Sequence, residues 1–145
     1  MTNPTIEEQE ALAVAYVHAV GEGGLDDKSV YADDLTFWSP LSGEASKSDY
    51  LARAPIVKAI FTEPLTMTID SLTSQPGRTV VQCHGAGTLC NGSAYSNTYM
   101  FLLEFDDAGR ITAIREYADT ARAREILLPA VQEWTASQAS PAPGG

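Results

Sequence analysis

The first part of the chain places apolar residues at helical spacing. Thr5 precedes this stretch and Glu8 follows three residues later, which is the capping-box pattern of a helix start. The apolar positions continue to Val20, and the glycines after it predict the helix end. The pattern predicts three elements after the first helix: a short helix over 25–32, a strand over 35–39 and a helix from about residue 47, capped by Ser46. Because Pro55 lies inside this last helical pattern, we expect a break or kink near Ala54.

After Pro64 the pattern changes to β-branched and alternating residues, which are typical of strands. Asn91-Gly92 is the strongest hairpin signal in the chain, and residues 106–109 predict a second turn. The expected elements are strands over 65–73, 79–90, 94–105 and 110–118, followed by a helix over about 121–135. We therefore expect one domain over 1–135 and a disordered tail over 136–145, which is rich in Ser, Pro, Ala and Gly.

Helices followed by a meander of strands indicate an α+β fold, with a curved antiparallel β-sheet wrapped around the N-terminal helices. The hairpin at Asn91-Gly92 then decides which side chains share a face of the sheet. A two-residue or four-residue loop places His84, Asn97 and Tyr99 on one face together with Phe101, whereas an odd loop would swap the faces. Apolar side chains with a few polar tips are what a small-molecule pocket requires.

The second hairpin leaves two registers open. A bulged turn would bring Asp119, Tyr117 and Arg115 to the same face as Tyr99, whereas a plain four-residue loop would place Glu116 there instead.

Composition and charge narrow the class of partner. The chain has 145 residues, 19 acidic against 9 basic, and a net charge of −10. Such a surface excludes nucleic acid as the main partner and argues against an anionic membrane. We find no signal-peptide pattern, no apolar membrane span, no zinc-ligand spacing and no nucleotide-binding loop in the sequence. We therefore expect a cytoplasmic protein without membrane contact, metal or cofactor, in which Cys83 and Cys90 are free thiols.

Three segments carry a family resemblance: residues 31–38, the Asn97-x-Tyr99 pair and residues 107–120. With these segments, residues 6–127 resemble the NTF2-like, or SnoaL-like, superfamily, which includes ketosteroid isomerases, polyketide cyclases, scytalone dehydratase and limonene-epoxide hydrolases. The resemblance implies a cone-shaped fold, a homodimer formed through the outer face of the sheet, and an acid or base at Asp119. The same residue would also serve as an N-cap for the helix that follows it. The Arg-x-Asp pair and the Tyr and Asn typical of limonene-epoxide hydrolases are absent from the matching strands.

These observations lead to a first hypothesis of an enzyme that uses cofactor-independent acid–base chemistry on a small apolar or polyketide-like molecule, as an isomerase, cyclase or dehydratase. The expected catalytic residues are Asp119, His84 and Tyr99, and the expected substrate-binding residues are Asn97, Tyr117, Trp38, Tyr16 and Phe101. A non-catalytic ligand-binding protein is the second hypothesis. An epoxide hydrolase with a changed set of active-site residues is the third.

Overall fold

The computed structural model describes residues 4–139. Helix α1 spans Ile6–Ala19 and begins with the predicted capping box. The Glu8 amide donates to the Thr5 hydroxyl at 3.0 Å, and the Glu8 carboxylate accepts from the Thr5 amide at 3.3 Å. A 3₁₀ turn over Val20–Glu22 follows the helix and ends at Gly23, whose φ of 91° suits glycine.

Six strands form one sheet in the order β2-β1-β6-β5-β4-β3. Their bounds are β1 Tyr31–Ser39, β2 Gly43–Ser46, β3 Phe61–Gln75, β4 Arg78–Leu89, β5 Ala94–Phe105 and β6 Ile111–Ala118. The α+β class is as predicted, but the sheet is mixed because β6 pairs with β1 in parallel. The last strand of the meander returns beside the first strand of the chain and runs in the same direction.

Two local predictions in the first half are wrong. Residues 25–32 contain a 3₁₀ turn over Lys28–Val30 in place of a helix, and β1 begins at Tyr31 because that residue pairs with Ile111 of β6. Helix α2 spans Lys47–Ala59 and continues through Pro55, so the expected break is absent. The proline is exposed, and the tertiary contacts of the buried helix face outweigh the lost backbone hydrogen bond.

The C-terminal segment is helical from Thr120 onward. It consists of α3 over Thr120–Arg122, a π-helical turn over Ala123–Leu127 and α4 over Leu128–Ala139. The helix therefore extends four residues beyond the predicted end at 135, and the rest of the expected tail, 140–145, lies outside the described residues. Across residues 4–139, no helix is both long enough and apolar enough to cross a membrane.

A buried glutamine attaches α1 to the turn between β3 and β4. Gln9 is 1 % exposed, and its Nε2 donates to the Gln75 carbonyl at 3.0 Å. The Gly77 amide donates to the Gln9 Oε1 at 2.8 Å. These bonds satisfy a polar side chain inside the core and fix the helix against the inner face of the sheet.

Candidate active site

The β4–β5 hairpin has an odd loop, and this swaps the faces that the sequence predicts. The last ladder pair is Thr88 with Ala94, so Cys83 lies opposite Tyr99 and His84 lies opposite Thr98. The expected pairing of His84 with Tyr99 is therefore wrong. His84 is exposed on the outer face of the sheet.

The outer face holds His84 in an ion pair. Its Nδ1 lies 2.9 Å from the Asp70 Oδ2, and both side chains are substantially exposed to solvent. The thickness of the sheet separates this pair from Tyr99 and from the interior.

The β5–β6 hairpin resolves the register that the sequence leaves open. Glu116 lies opposite Phe101, so its side chain shares the inner face with Phe101 and Tyr99. Tyr117 lies opposite Met100 on the outer face and is 48 % exposed. The expected place of Tyr117 in the pocket is therefore wrong.

Trp38 is also on the Tyr117 side of the sheet. The two rings lie 5.1 Å apart between centroids. Its neighbour Phe37 lines the interior cavity instead and stacks on Tyr50 at 5.1 Å. The prediction that Trp38 lines the pocket is therefore wrong. Adjacent residues of a strand point to opposite faces, and it is Phe37 that points inward.

Asp119 caps the helix that follows β6. Its side-chain Oδ1 accepts from the amides of Ala121 at 3.0 Å and Arg122 at 3.3 Å. The residue is exposed. The N-cap alternative is confirmed, and the carboxylate does not join Tyr99 on the inner face.

Asn97 is 4 % exposed and engages neighbouring protein groups through both ends of its amide. Its Nδ2 donates to the Tyr95 hydroxyl at 2.8 Å and to the Asp119 carbonyl at 3.0 Å, and its Oδ1 accepts from the Asp119 amide at 3.2 Å. The side chain therefore joins β5 to the end of β6 and orients Tyr95. Its expected role as a substrate anchor stays a prediction, and the hydrogen bonds of its amide go to Tyr95 and to the backbone of Asp119.

The main cavity lies between α1, α2 and the inner face of the sheet. It has a volume of about 230 Å³. Its lining includes Tyr16, as predicted, and Glu116. The apolar part of the lining is Val20, Phe37, Ala54 and Val57, and the remaining polar part is Ser39, Ser42, Tyr50 and Arg53. Ser42 and Arg53 are exposed and mark the mouth.

A second, smaller cavity of about 80 Å³ adjoins the first. The two cavities share Val20, Val57 and Glu116. The other lining residues are aromatic or aliphatic: Leu41, Ile60, Phe61, Leu65, Tyr95, Tyr99, Ala118, Ala123 and Leu127. Glu116 therefore lines both chambers, together with Val20 and Val57.

Glu116 is half-buried, and its carboxyl lines two cavities with mostly apolar walls. Burial raises its pKa from the ordinary 4.5 to about 7, because the charged form is poorly solvated there. Among the hydrogen bonds of residues 4–139, none involves the Glu116 side chain. A carboxyl that is free of partners and titrates near neutrality can take up or release a proton at physiological pH.

Tyr16 and Tyr50, which both line the main chamber, form a hydrogen-bonded pair. The Tyr50 hydroxyl donates to the Tyr16 hydroxyl at 3.4 Å, and the ring of Tyr31 meets Tyr50 edge-on at 5.7 Å. Burial raises the pKa of both Tyr16 and Tyr50 well above the usual value, so both are neutral near pH 7. Because Tyr16 accepts from Tyr50, its own proton is available to a molecule in the cavity.

Sequence reasoning missed Tyr50 and Phe37 and left Glu116 as an alternative. Tyr50 could have been found from its position one turn after the Ser46 cap, as an aromatic residue on the buried side of α2. The inward orientation of Glu116 depends on how many residues the β5–β6 turn contains in the folded protein, and the sequence of the turn does not determine that number.

The sequence matches no protein-family model and no curated protein. Solved structures do resemble the fold. An NTF2-like protein from Burkholderia xenovorans has a TM-score of 0.65 at 20 % identity, over 83 % of this chain and 96 % of that chain. A candidate isomerase from Bacillus subtilis has a TM-score of 0.70 at 16 % identity, over 83 % and 93 %. An LEH-like epoxide hydrolase from M. tuberculosis has a TM-score of 0.65 at 16 % identity, over 92 % and 99 %.

These likenesses show that the chain has the NTF2-like fold, as the sequence resemblance implies. Neighbours of that fold include enzymes of several reaction types. Because one fold hosts many chemistries, the function must be argued from the interior site itself.

Proposed function

We propose that the protein is an enzyme that moves a proton at a carbon next to a carbonyl group of a small, largely apolar molecule, without a cofactor. The observation that carries this proposal is the position of Glu116. Among the described residues that line the two chambers, it is the one carboxylic acid, and Tyr16 and Tyr50 line the larger chamber with it, as Tyr95 and Tyr99 line the smaller.

The geometry supports two separate roles, with Glu116 as the base and Tyr16 as the hydrogen-bond donor. The Glu116 carboxylate removes the proton from the substrate carbon, and the electrons of the C–H bond form a C=C bond as the carbonyl oxygen becomes an enolate. The Tyr16 hydroxyl donates a hydrogen bond to that oxygen, and Tyr50 supports Tyr16 from behind. Glu116 then returns the proton to another carbon, which completes an isomerisation. With a β-hydroxyl on the substrate, the enolate would instead expel that hydroxyl as water, which takes the proton held by Glu116, and this would give dehydration.

The pKa of Glu116 fixes the expected pH dependence. Acting as a base, Glu116 must be ionised before the reaction starts, so kcat/KM should rise with pH through about 7 and then level off.

The test is exchange of carbon-bound hydrogen for deuterium in D₂O, followed by NMR on a panel of small cyclic ketones and enones. We expect Glu116→Gln to lower the exchange rate of the best substrate by at least about 100-fold. Asp119→Asn is the matched control, because Asn is also a good N-cap and the change removes an exposed carboxylate. The proposal fails if Glu116→Gln exchanges at the wild-type rate, or if Asp119→Asn loses exchange instead.

We also propose that a second copy of the chain covers the outer face of the sheet. Trp38, Tyr117 and Met100 form an apolar strip across β1, β6 and β5, and the last two are 48 % and 45 % exposed. Light scattering should give about twice the 15.5 kDa of one chain, and Tyr117→Arg should lower that mass. A mass of 15.5 kDa for the wild type would contradict the proposal.

A further inference from the structure

Two tyrosine rings pack on Phe101, the residue opposite Glu116. Phe101 lies directly opposite Glu116 in the β5–β6 ladder. The Tyr16 ring contacts one part of Phe101 edge-on, and the Tyr99 ring stacks on it, each at 5.8 Å between centroids. Tyr16 lines the larger chamber and Tyr99 the smaller one, so Glu116 lies between them.

The hydrogen bonds around the Tyr99 hydroxyl indicate which way its proton points. Asn97 donates to the Tyr95 hydroxyl at 2.8 Å, and the Tyr95 and Tyr99 hydroxyls lie 3.0 Å apart. Tyr95 is 2 % exposed, and within residues 4–139 its proton finds one acceptor, the Tyr99 oxygen. The geometry allows either hydroxyl to donate. Because a buried donor without an acceptor is costly and Tyr95 is the more deeply buried, at 2 % against 8 % exposed for Tyr99, we assign Tyr95 as the donor to Tyr99.

The proton of Tyr99 is then left for the smaller chamber. This repeats the arrangement in the larger chamber, where Tyr50 donates to Tyr16 and leaves the Tyr16 proton free. Each chamber therefore contains a neutral hydroxyl that can donate to a ligand, and Glu116 lines both chambers between them.

We propose that the site takes a substrate with two acceptor oxygens at opposite ends of an apolar skeleton, one bound by Tyr16 and the other by Tyr99. This inference rests on the proposed function for the role of Glu116, which acts on the carbon between the two oxygens. An apolar cavity of about 150 Å³ holds benzene, so chambers of about 230 and 80 Å³ suit a skeleton of about two rings.

Two matched probes test the inference by binding, without turnover. The first is trans-decalin-1,5-dione, which has oxygens at both ends, and the second is trans-1-decalone, which has one. Dissociation constants are measured by NMR titration at pH 5.5, where Glu116 is protonated, for the wild type, Tyr16→Phe and Tyr99→Phe. Tyr117→Phe serves as the control on the outer face.

We expect the wild type to bind the dione about three- to tenfold more tightly than the decalone, which is the effect of one hydrogen bond. Tyr99→Phe should abolish that preference, and Tyr16→Phe should also lower the affinity for the dione. Tyr117→Phe should leave the affinities for both probes unchanged. Equal affinity of the wild type for the two probes would overturn the inference, and this comparison stands even if Tyr99→Phe does not fold. A preference that survives in Tyr99→Phe would also overturn it. Failure of the proposed function would show separately, as exchange that persists in Glu116→Gln.

Discussion

The two faces of the sheet carry similar side chains in opposite surroundings. On the outer face, His84 and Asp70 are 2.9 Å apart, but their side chains are 51 % and 40 % exposed, so water solvates both. On the inner face, Glu116 has no hydrogen-bonded partner among the described residues, and burial raises its pKa to about 7.

The comparison separates two features of a candidate site: the distance between an acid and a histidine, and the removal of a carboxyl from water. Exposed ion pairs contribute little to the free energy of unfolding, and salt screens them. A single carboxyl in an apolar chamber is poised to exchange a proton near neutral pH, because its charged and neutral forms have similar free energies there.

Comparing the inner Tyr16 with the outer Tyr117 gives the largest expected effect. Tyr16→Phe removes the donor to the developing enolate and should lower deuterium exchange by about 100- to 1,000-fold. Tyr117→Phe should stay within about twofold of the wild type, since Tyr117 is 48 % exposed on the other face. An equal loss of deuterium exchange in both variants would contradict the assignment of the active site to the inner face.

The stability of Glu116→Gln relative to the wild type should depend on pH. The folded-state pKa of Glu116 is raised from 4.5 to about 7, so the wild type loses stability as pH rises between these values. The variant should match the wild type below pH 4.5 and exceed it by about 3 kcal/mol above pH 7. Urea unfolding across this range measures the difference. Glu104→Gln, which removes an exposed ion pair with Arg78 on the outer face, should show no comparable trend.

A comparison of two glutamines extends the contrast to packing. Gln9→Ala leaves the buried Gly77 amide and Gln75 carbonyl without their partner and should cost about 2 kcal/mol of unfolding free energy. Gln82→Ala removes an exposed bond of 3.0 Å to Ser71 and should cost less than about 0.5 kcal/mol. Denaturant midpoints test this, and a reversed order would mean that the Gln9 network does not fix α1.

Local signals in the sequence predicted much of the fold. Thr5 with Glu8, and Ser46 before α2, start helices through bonds within one turn, and the Asn91-Gly92 turn lies between its two strands as expected. The parallel pairing of β1 with β6 joins segments some eighty residues apart, and no local pattern encodes it.

The candidate site was harder to predict because strands alternate. One residue more or less in a turn exchanges every inward and outward side chain. The odd loop after β4 placed Cys83 beside Tyr99 in place of His84, and the second turn placed Glu116 inward in place of Tyr117. Phe101, Tyr99 and Tyr16 were expected on the inner side, where Phe101 lies opposite Glu116 and the other two rings pack on Phe101.

The most direct test of the account is the titration of Glu116 itself. The protein is labelled with ¹³C at the glutamate carboxyl carbons, and the Glu116 resonance is assigned by its loss in Glu116→Gln. We predict a midpoint near pH 7, because the carboxyl lies in an apolar chamber. A midpoint near the ordinary 4.5 would mean that Glu116 is well solvated, and it would contradict the assignment of the inner chamber as the active site.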